Sequence, residues 1–303
     1  MRKTLLVLAK GFCMGTADVV PGVSGGTMAF ILGIYQRLLE AVRAFDLRLL
    51  SLLWHGNFRG AVRHSDLEFL LPLALGIFGA LMFFTRVVPL PSLIQTHPQL
   101  IYGLFFGLIL ASILVLLQEV GRIGWDGTLV LTVGTGIGLL IVNLVPMETP
   151  ETSLFVFLSG AVAITAMILP GISGSFILLI LRKYAYVLDA VGRLDLVILL
   201  PFALGAIAGL LLFTRLLVWL LHRFYRMTLI LITGILIGSL WMVWPFQERV
   251  FETVRGKQRL LHATPIWPGH WAGTDWVALG LVAVGLALVL AIHGMARSRP
   301  HPG

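Results

Sequence analysis

The chain has 303 residues, 58% hydrophobic and only 12% charged, with a mean hydropathy of +0.97 and a net charge of +8. In a soluble protein that basic balance points to nucleic acid, but here the charges lie mainly in connections between apolar runs near the ~20 residues that cross a bilayer, so the composition is that of a polytopic membrane protein. The lone Cys13 excludes an intrachain disulfide and argues against a thiolate metal cluster; no cofactor and no nucleic acid are expected.

The first residues, Arg2-Lys3 followed by Leu5 to Ala9, imitate a signal peptide, but Lys10 interrupts the apolar run early and no convincing cleavage site follows, so the stretch is expected to be retained. Next comes Pro21-Gly22-Val23-Ser24-Gly25-Gly26, and 149 residues later Pro170-Gly171-Ile172-Ser173-Gly174-Ser175. Proline removes a backbone donor and glycine admits positive φ, so each phrase is expected to break a membrane helix and leave N–H groups free at the start of the next one, over 26–40 and 175–190. Ser24 and Ser173 add hydroxyls, and the positive helix end suits a phosphate. Alone, each phrase equally describes a tight turn between half-helices; the duplication favours binding, because transporters place substrate where two such halves meet.

After the first broken segment and a polar connection at 41–66, apolar spans are predicted at 67–89, 98–118 and 128–147. The second broken segment covers 153–190, followed by spans at 196–221, 227–246 and 275–295. The run Leu71 to Arg86 matches Leu200 to Arg215 without a gap at nine of sixteen positions. Gly107 to Ser112 matches Gly234 to Ser239 more weakly, and both carry the small residues of close helix packing. The expected architecture is all-α: one membrane domain over 1–303, with repeat one at 1–147 and repeat two at 150–296. Each repeat holds a broken re-entrant segment and three transmembrane helices, and the odd number of crossings inverts them. With the amino terminus inside, fourteen of the 22 Lys and Arg face inward, against thirteen if the broken segments cross fully; the charge rule leans to re-entrance without deciding it.

Asp18 stands three residues before Pro21, where a carboxylate is costly unless paired, hydrated or protonated. It can cap the half-helix or couple transport to protons, and the second half has Met167 in its place. Arg86 and Arg215 follow Thr85 and Thr214 at matching positions, where a guanidinium can fork onto phosphate or snorkel to headgroups. Arg37, Arg182 and Lys183 can gather headgroups at the far ends of the half-helices or serve as interfacial anchors. The tryptophans Trp241, Trp244, Trp267, Trp271 and Trp276 read as an interfacial belt, and the eight histidines as residues of loops and span ends.

The run Met14 to Thr27, continuing to Gly33-Ile34-Tyr35, resembles the signature of the bacterial polyprenyl-phosphate transporter family, and Leu169 to Phe176 resembles its second signature. The likeness extends through nearly the whole chain; Arg182 departs from the glycine found at the corresponding Gly33. The resemblance implies a flippase, not an enzyme, that returns undecaprenyl phosphate or a related polyprenyl-phosphate lipid across the bacterial cytoplasmic membrane. The phosphate site is then assigned to Pro21, Gly22, Ser24, Gly25, Gly26 and Thr27 together with Pro170, Gly171, Ser173, Gly174 and Ser175. On the residues themselves, Arg86 and Arg215 are its candidate pairing cations and Asp18 a candidate coupling residue. Membrane lipids are further partners, and homo-oligomer formation stays open. Two alternatives remain. Integral undecaprenyl-pyrophosphate phosphatases also use paired re-entrant segments and a Pro-Gly-x-Ser phrase, but theirs continues with arginine, where this chain has Gly25 and Gly174. A small-anion channel could use the same helix ends.

Overall fold

The computed structural model describes residues 2–20, 23–88, 93, 96–144, 148–254, 257–269 and 271–297. Helix α1 (Arg2–Val19) ends at the first break, and α2 (Gly25–Ile31) runs back along it. Two contacts fix that direction: the Gly25 N–H donates to Asp18 Oδ1 at 2.8 Å, and Lys10 Nζ donates to Leu32 O at 2.7 Å. The connection that reads as merely polar is helical, as α3 (Tyr35–Arg43), α4 (Leu47–Trp54) and α5 (Phe58–His64). Asp46 and Asn57 start α4 and α5 by accepting the N–H groups of Leu49 and Gly60. Helix α6 (Leu67–Arg86) then begins beside α3, where the Arg37 guanidinium forks onto Asp66 at 2.7 and 3.0 Å and lies 4.4 Å from the Phe69 ring centre. It runs in the direction of α1, with Gly11 against the Leu73 backbone and Gly15 against Ile77. Thus α6 starts on the side of the molecule where α1 starts.

Helices α7 (Pro98–Val120) and α8 (Trp125–Val142) follow, and the second half begins with α9 (Ser153–Ile168). After the second break, α10 (Gly174–Ile180) returns along α9, and α11 (Tyr184–Arg193) leads into α12 (Leu196–Arg223). Near the start of α9, Thr149 Oγ1 donates to Leu181 O at 2.6 Å, and the buried Lys183 donates to Thr149 O at 2.7 Å. Helix α13 (Tyr225–Ser239) and a 3₁₀ turn (Leu240–Val243) complete the next apolar segment, and α14 (Gly273–Arg297) is the last helix. Among the described residues, six helices are long and apolar enough to cross a membrane: α6, α7, α8, α12, α13 extended by its 3₁₀ turn, and α14.

The helices pair as α1 with α6, α9 with α12, α8 with α13 and α7 with α14. Small residues permit these approaches. Gly76 meets Leu8 O, Gly205 meets Phe157 O, Gly107 meets Val282 O and Gly234 meets Leu131 O, each so closely that a Cβ would collide with backbone. Helices α7 and α13 are the most buried spans.

Two expectations change. The predicted helices 26–40 and 175–190 are each divided by a left-handed residue, Gly33 (φ +65°) and Arg182 (φ +51°). Both ends close alike, with Ile34 N–H donating to Ala29 O at 2.9 Å and Lys183 N–H to Leu178 O at 2.8 Å. The arginine therefore keeps the backbone conformation of its glycine counterpart, at the steric cost of a Cβ there. Second, the all-α expectation gains a two-stranded antiparallel hairpin, β1 (Gln247–Val254) and β2 (Lys257–Pro265), where the sequence reads as a charged loop. The segment combines charges with Val250, Phe251, Thr253 and Val254, whose β-branched and aromatic side chains favour strands.

Candidate functional site

The first break is organised by its own side chains. Ser24 caps α2, its Oγ accepting the Gly26 N–H at 3.1 Å. Asp18 takes the Gly25 N–H, so the carboxylate stands where an external anion would meet this helix start. A Cβ on Gly25 would lie 2.6 Å from Asp18 Oδ2, so a larger residue there would have to displace the carboxylate from the helix start. The second break lacks this arrangement. Ser173 begins α10 without a capping hydrogen bond and instead shares a 2.8 Å hydrogen bond with Ser175 Oγ. Met167, at the place corresponding to Asp18, has no carboxylate to offer.

Tertiary packing brings the two breaks together. Ser24 Oγ donates to Met167 O at 3.0 Å, Gly171 N–H donates to Thr27 Oγ1 at 2.9 Å, and Tyr35 OH donates to Ile168 O at 3.1 Å. Ser24, Thr27, Gly171, Ser173 and Gly174 are buried, as is Pro170, whereas Ser175 is exposed. Gly171 needs its φ of +92° and has Ser239 Oγ 2.8 Å from where a Cβ would sit. Gly26 packs directly on the opposite break, 2.7 Å separating its ideal Cβ position from Ile168 O. Pro21 and Gly22 lie outside the described residues, as does the Thr85 side chain.

Among the described residues, no hydrogen bond or ion pair joins Arg86 or Arg215 to this group. Arg86 is exposed at the last residue of α6. Arg215 is also exposed and reaches Phe45 O at 3.5 Å. The cations expected at the far ends of the half-helices are held within the protein: Arg37 by Asp66, Arg182 by Glu148 at 3.0 Å, and Lys183 by Thr149 O. Trp241, Trp267, Trp271 and Trp276 are exposed, in keeping with an interfacial belt. No group of three or more metal-ligating side chains occurs among the described residues.

A cavity of about 260 Å³ lies beside the end of α2, between it and α7, α12, α13 and α14. Tyr35 lines it while also bonding Ile168 O, linking the cavity wall to the second break. Its polar lining includes Glu119, which accepts the Tyr225 hydroxyl at 2.7 Å, and His293, whose Nε2 is buried with no partner among the described residues. Sequence reasoning placed His293 with the interfacial histidines and passed over Glu119. Their signal was a polar residue close to the end of an apolar span, which marks snorkelling and cavity-lining residues alike. The side chains of His262, His270 and His301 lie outside the described residues.

A family model described as undecaprenyl phosphate translocase-like matches residues 14–259. The chain is 41% identical over 295 residues to a polyprenyl-phosphate transporter of Vibrio cholerae, covering 95% of each protein. It is 32% identical over 257 residues to a polyprenyl-phosphate transporter of Staphylococcus aureus, covering 78% of this chain and 85% of that one. No solved structure matches the chain.

Proposed function

The chain belongs to the undecaprenyl phosphate translocase-like family, and from that premise we propose that it carries undecaprenyl phosphate, or a closely related polyprenyl phosphate, across the bacterial cytoplasmic membrane. The observation that carries the site assignment is the hydrogen bond from Gly171 to Thr27, which joins two breaks from opposite halves of the chain. The phosphate head binds between Ser24, Gly25, Gly26 and Thr27 on one side and Pro170, Gly171, Ser173, Gly174 and Ser175 on the other, with Pro21 and Gly22 completing the first turn. Arg86 and Arg215 pair with it along its route. The long tail stays in lipid, so only the charged head needs a polar path, and no covalent step is required.

The helix contacts support two repeats, 1–147 and 150–296, related by inversion. The backbone pairs Gly11–Leu73 and Gly160–Phe202 match, as do Gly107–Val282 and Gly234–Leu131, each helix being displaced in sequence from its counterpart by its own fixed offset. A first broken segment that returns to the side where α1 starts leaves three crossings in that half, the parity that inverts a repeat.

In the conformation seen here the breaks satisfy one another, and Asp18 fills the anion position of the first. Substrate therefore competes with an internal carboxylate at one helix start and meets an uncapped start at the other. Asp18 thereby couples occupancy to protonation. The deciding experiment is head-group flipping of undecaprenyl phosphate in liposomes containing the purified protein, under defined pH and sodium gradients. Protein-dependent flipping is expected, and rates equal to protein-free liposomes under every gradient overturn the proposal.

A further inference from the structure

Arg43, Arg48 and Arg215 line a hollow of about 400 Å³ with Asp46 and Leu47, away from the two breaks in sequence and formed by α12 with the α3–α4 connection. Arg215 sits eight residues before the end of α12, roughly 12 Å along a helix rising 1.5 Å per residue. Its neighbours Leu212, Leu216 and Trp219 are 67%, 49% and 55% exposed, so this face of a membrane span meets lipid. A guanidinium on such a face calls for a counter-charge. The partner it has among the described residues is the neutral Phe45 carbonyl at a long 3.5 Å. Arg43 and Arg48 add two more positive charges, and neither forms an ion pair among the described residues. The acid in the hollow, Asp46, already accepts the Leu49 N–H and faces His64 Nε2, both at 3.0 Å.

We propose that Arg43, Arg48 and Arg215 form a second phosphate site, which receives the head of a polyprenyl-phosphate lipid at the membrane boundary on the side where α1 starts. The identity of the lipid rests on the transporter reading above; the charge argument does not. Guanidinium forks match a terminal phosphate, whose second negative charge distinguishes it from the phosphodiester of a bulk phospholipid. A free phosphate would gain nothing from the apolar flanks, whereas a lipid tail can lie along Leu212, Leu216 and Trp219 and beside the exposed Leu47, Leu50 and Trp54 of α4.

The test is a titration of undecaprenyl phosphate into the full chain in phosphatidylcholine nanodiscs, with bound lipids counted by native mass spectrometry. Undecaprenol, phosphatidylglycerol and inorganic phosphate are the comparison probes. Wild type is expected to hold two undecaprenyl phosphates, and the Arg43→Gln, Arg48→Gln, Arg215→Gln triple variant to hold one, the other weakened at least about tenfold as expected for a lost charge-assisted contact. The corresponding triple lysine variant, which keeps the charge and guards against misfolding, should bind the second lipid at intermediate strength. Retention of both lipids by the glutamine variant overturns the arginine site alone, as does a lysine variant equal to wild type. One-for-one displacement of the second lipid by phosphatidylglycerol, or by inorganic phosphate, overturns its assignment to the carrier lipid. A wild type that binds no undecaprenyl phosphate overturns the transporter reading and this site with it.

Discussion

Thr27 and Gly171 are 144 residues apart in sequence, yet the Gly171 N–H donates to Thr27 Oγ1 at 2.9 Å in the buried seam between the two breaks. Replacing Thr27 with valine keeps the shape and removes the acceptor, leaving a buried N–H unsatisfied at a cost of about 1–3 kcal/mol. Thr27→Val should therefore lower thermal stability in detergent and slow flipping, while Thr27→Ser retains both. Equal melting temperatures for Val and wild type would show that this bond does not hold the breaks together.

Gly26 tests the contact by volume instead of by polarity. A methyl group there falls 2.7 Å from the Ile168 carbonyl, so Gly26→Ala must push the breaks apart. Flipping is expected to fall at least about tenfold, as a misplacement of the order of an ångström at a binding site can cause. Gly79→Ala is the control, since nothing lies within 4 Å of its added carbon. Similar rates in the two variants would remove the seam from the transport route.

The third prediction concerns Asp18, which donates nothing while ionised and accepts the Gly25 N–H. An asparagine can still accept that hydrogen through its carbonyl but cannot titrate. Asp18→Asn should fold normally and flatten the pH dependence of flipping, whereas Asp18→Ala should also lose stability. An Asn variant with the full wild-type pH response assigns Asp18 to helix capping alone.

Gly33 and Arg182 offer a backbone test free of steric contact at the first site, because no atom lies within 4 Å of a Cβ built on Gly33. Its φ of +65° is left-handed, so Gly33→Ala should cost roughly 1–2 kcal/mol through conformation alone. Conversely, Arg182→Gly should stabilise the chain, less the small contribution of its exposed ion pair with Glu148. Chemical denaturation in detergent measures both; a stabilised Gly33→Ala variant would contradict the conformational account.

Transport without chemistry predicts no phosphate release. The serines are followed by Gly25 and Gly174, so neither phrase carries the arginine of the phosphatase-type phrase. Purified protein incubated with undecaprenyl pyrophosphate should release inorganic phosphate no faster than buffer. Protein-dependent release that disappears in Ser24→Ala or Ser173→Ala would restore the enzyme reading.

Hydropathy and punctuation carried much of the fold. The six spans, the two Pro-Gly breaks and the family likeness were legible because apolar length, helix-breaking residues and duplicated phrases are properties of neighbouring residues. The start of α6 at Leu67 and of α12 at Leu196 was readable for the same reason. Other features depended on residues far apart in the chain. Nothing local to Ser24 announces Met167 O as its acceptor, and nothing in the α3–α4 connection announces Arg215. The division of the second half-helix at Arg182 was hidden because an arginine in the left-handed region leaves no compositional mark, whereas Gly33 was itself a local signal for the division of the first. Strand pairing at 247–265 was masked by charge. Sequence determined which segments enter the bilayer, since burial in lipid depends on the segment's own surface. Tertiary packing decided which polar groups are already satisfied and which remain open to a ligand, since an unpaired donor or charge is defined only by everything folded around it.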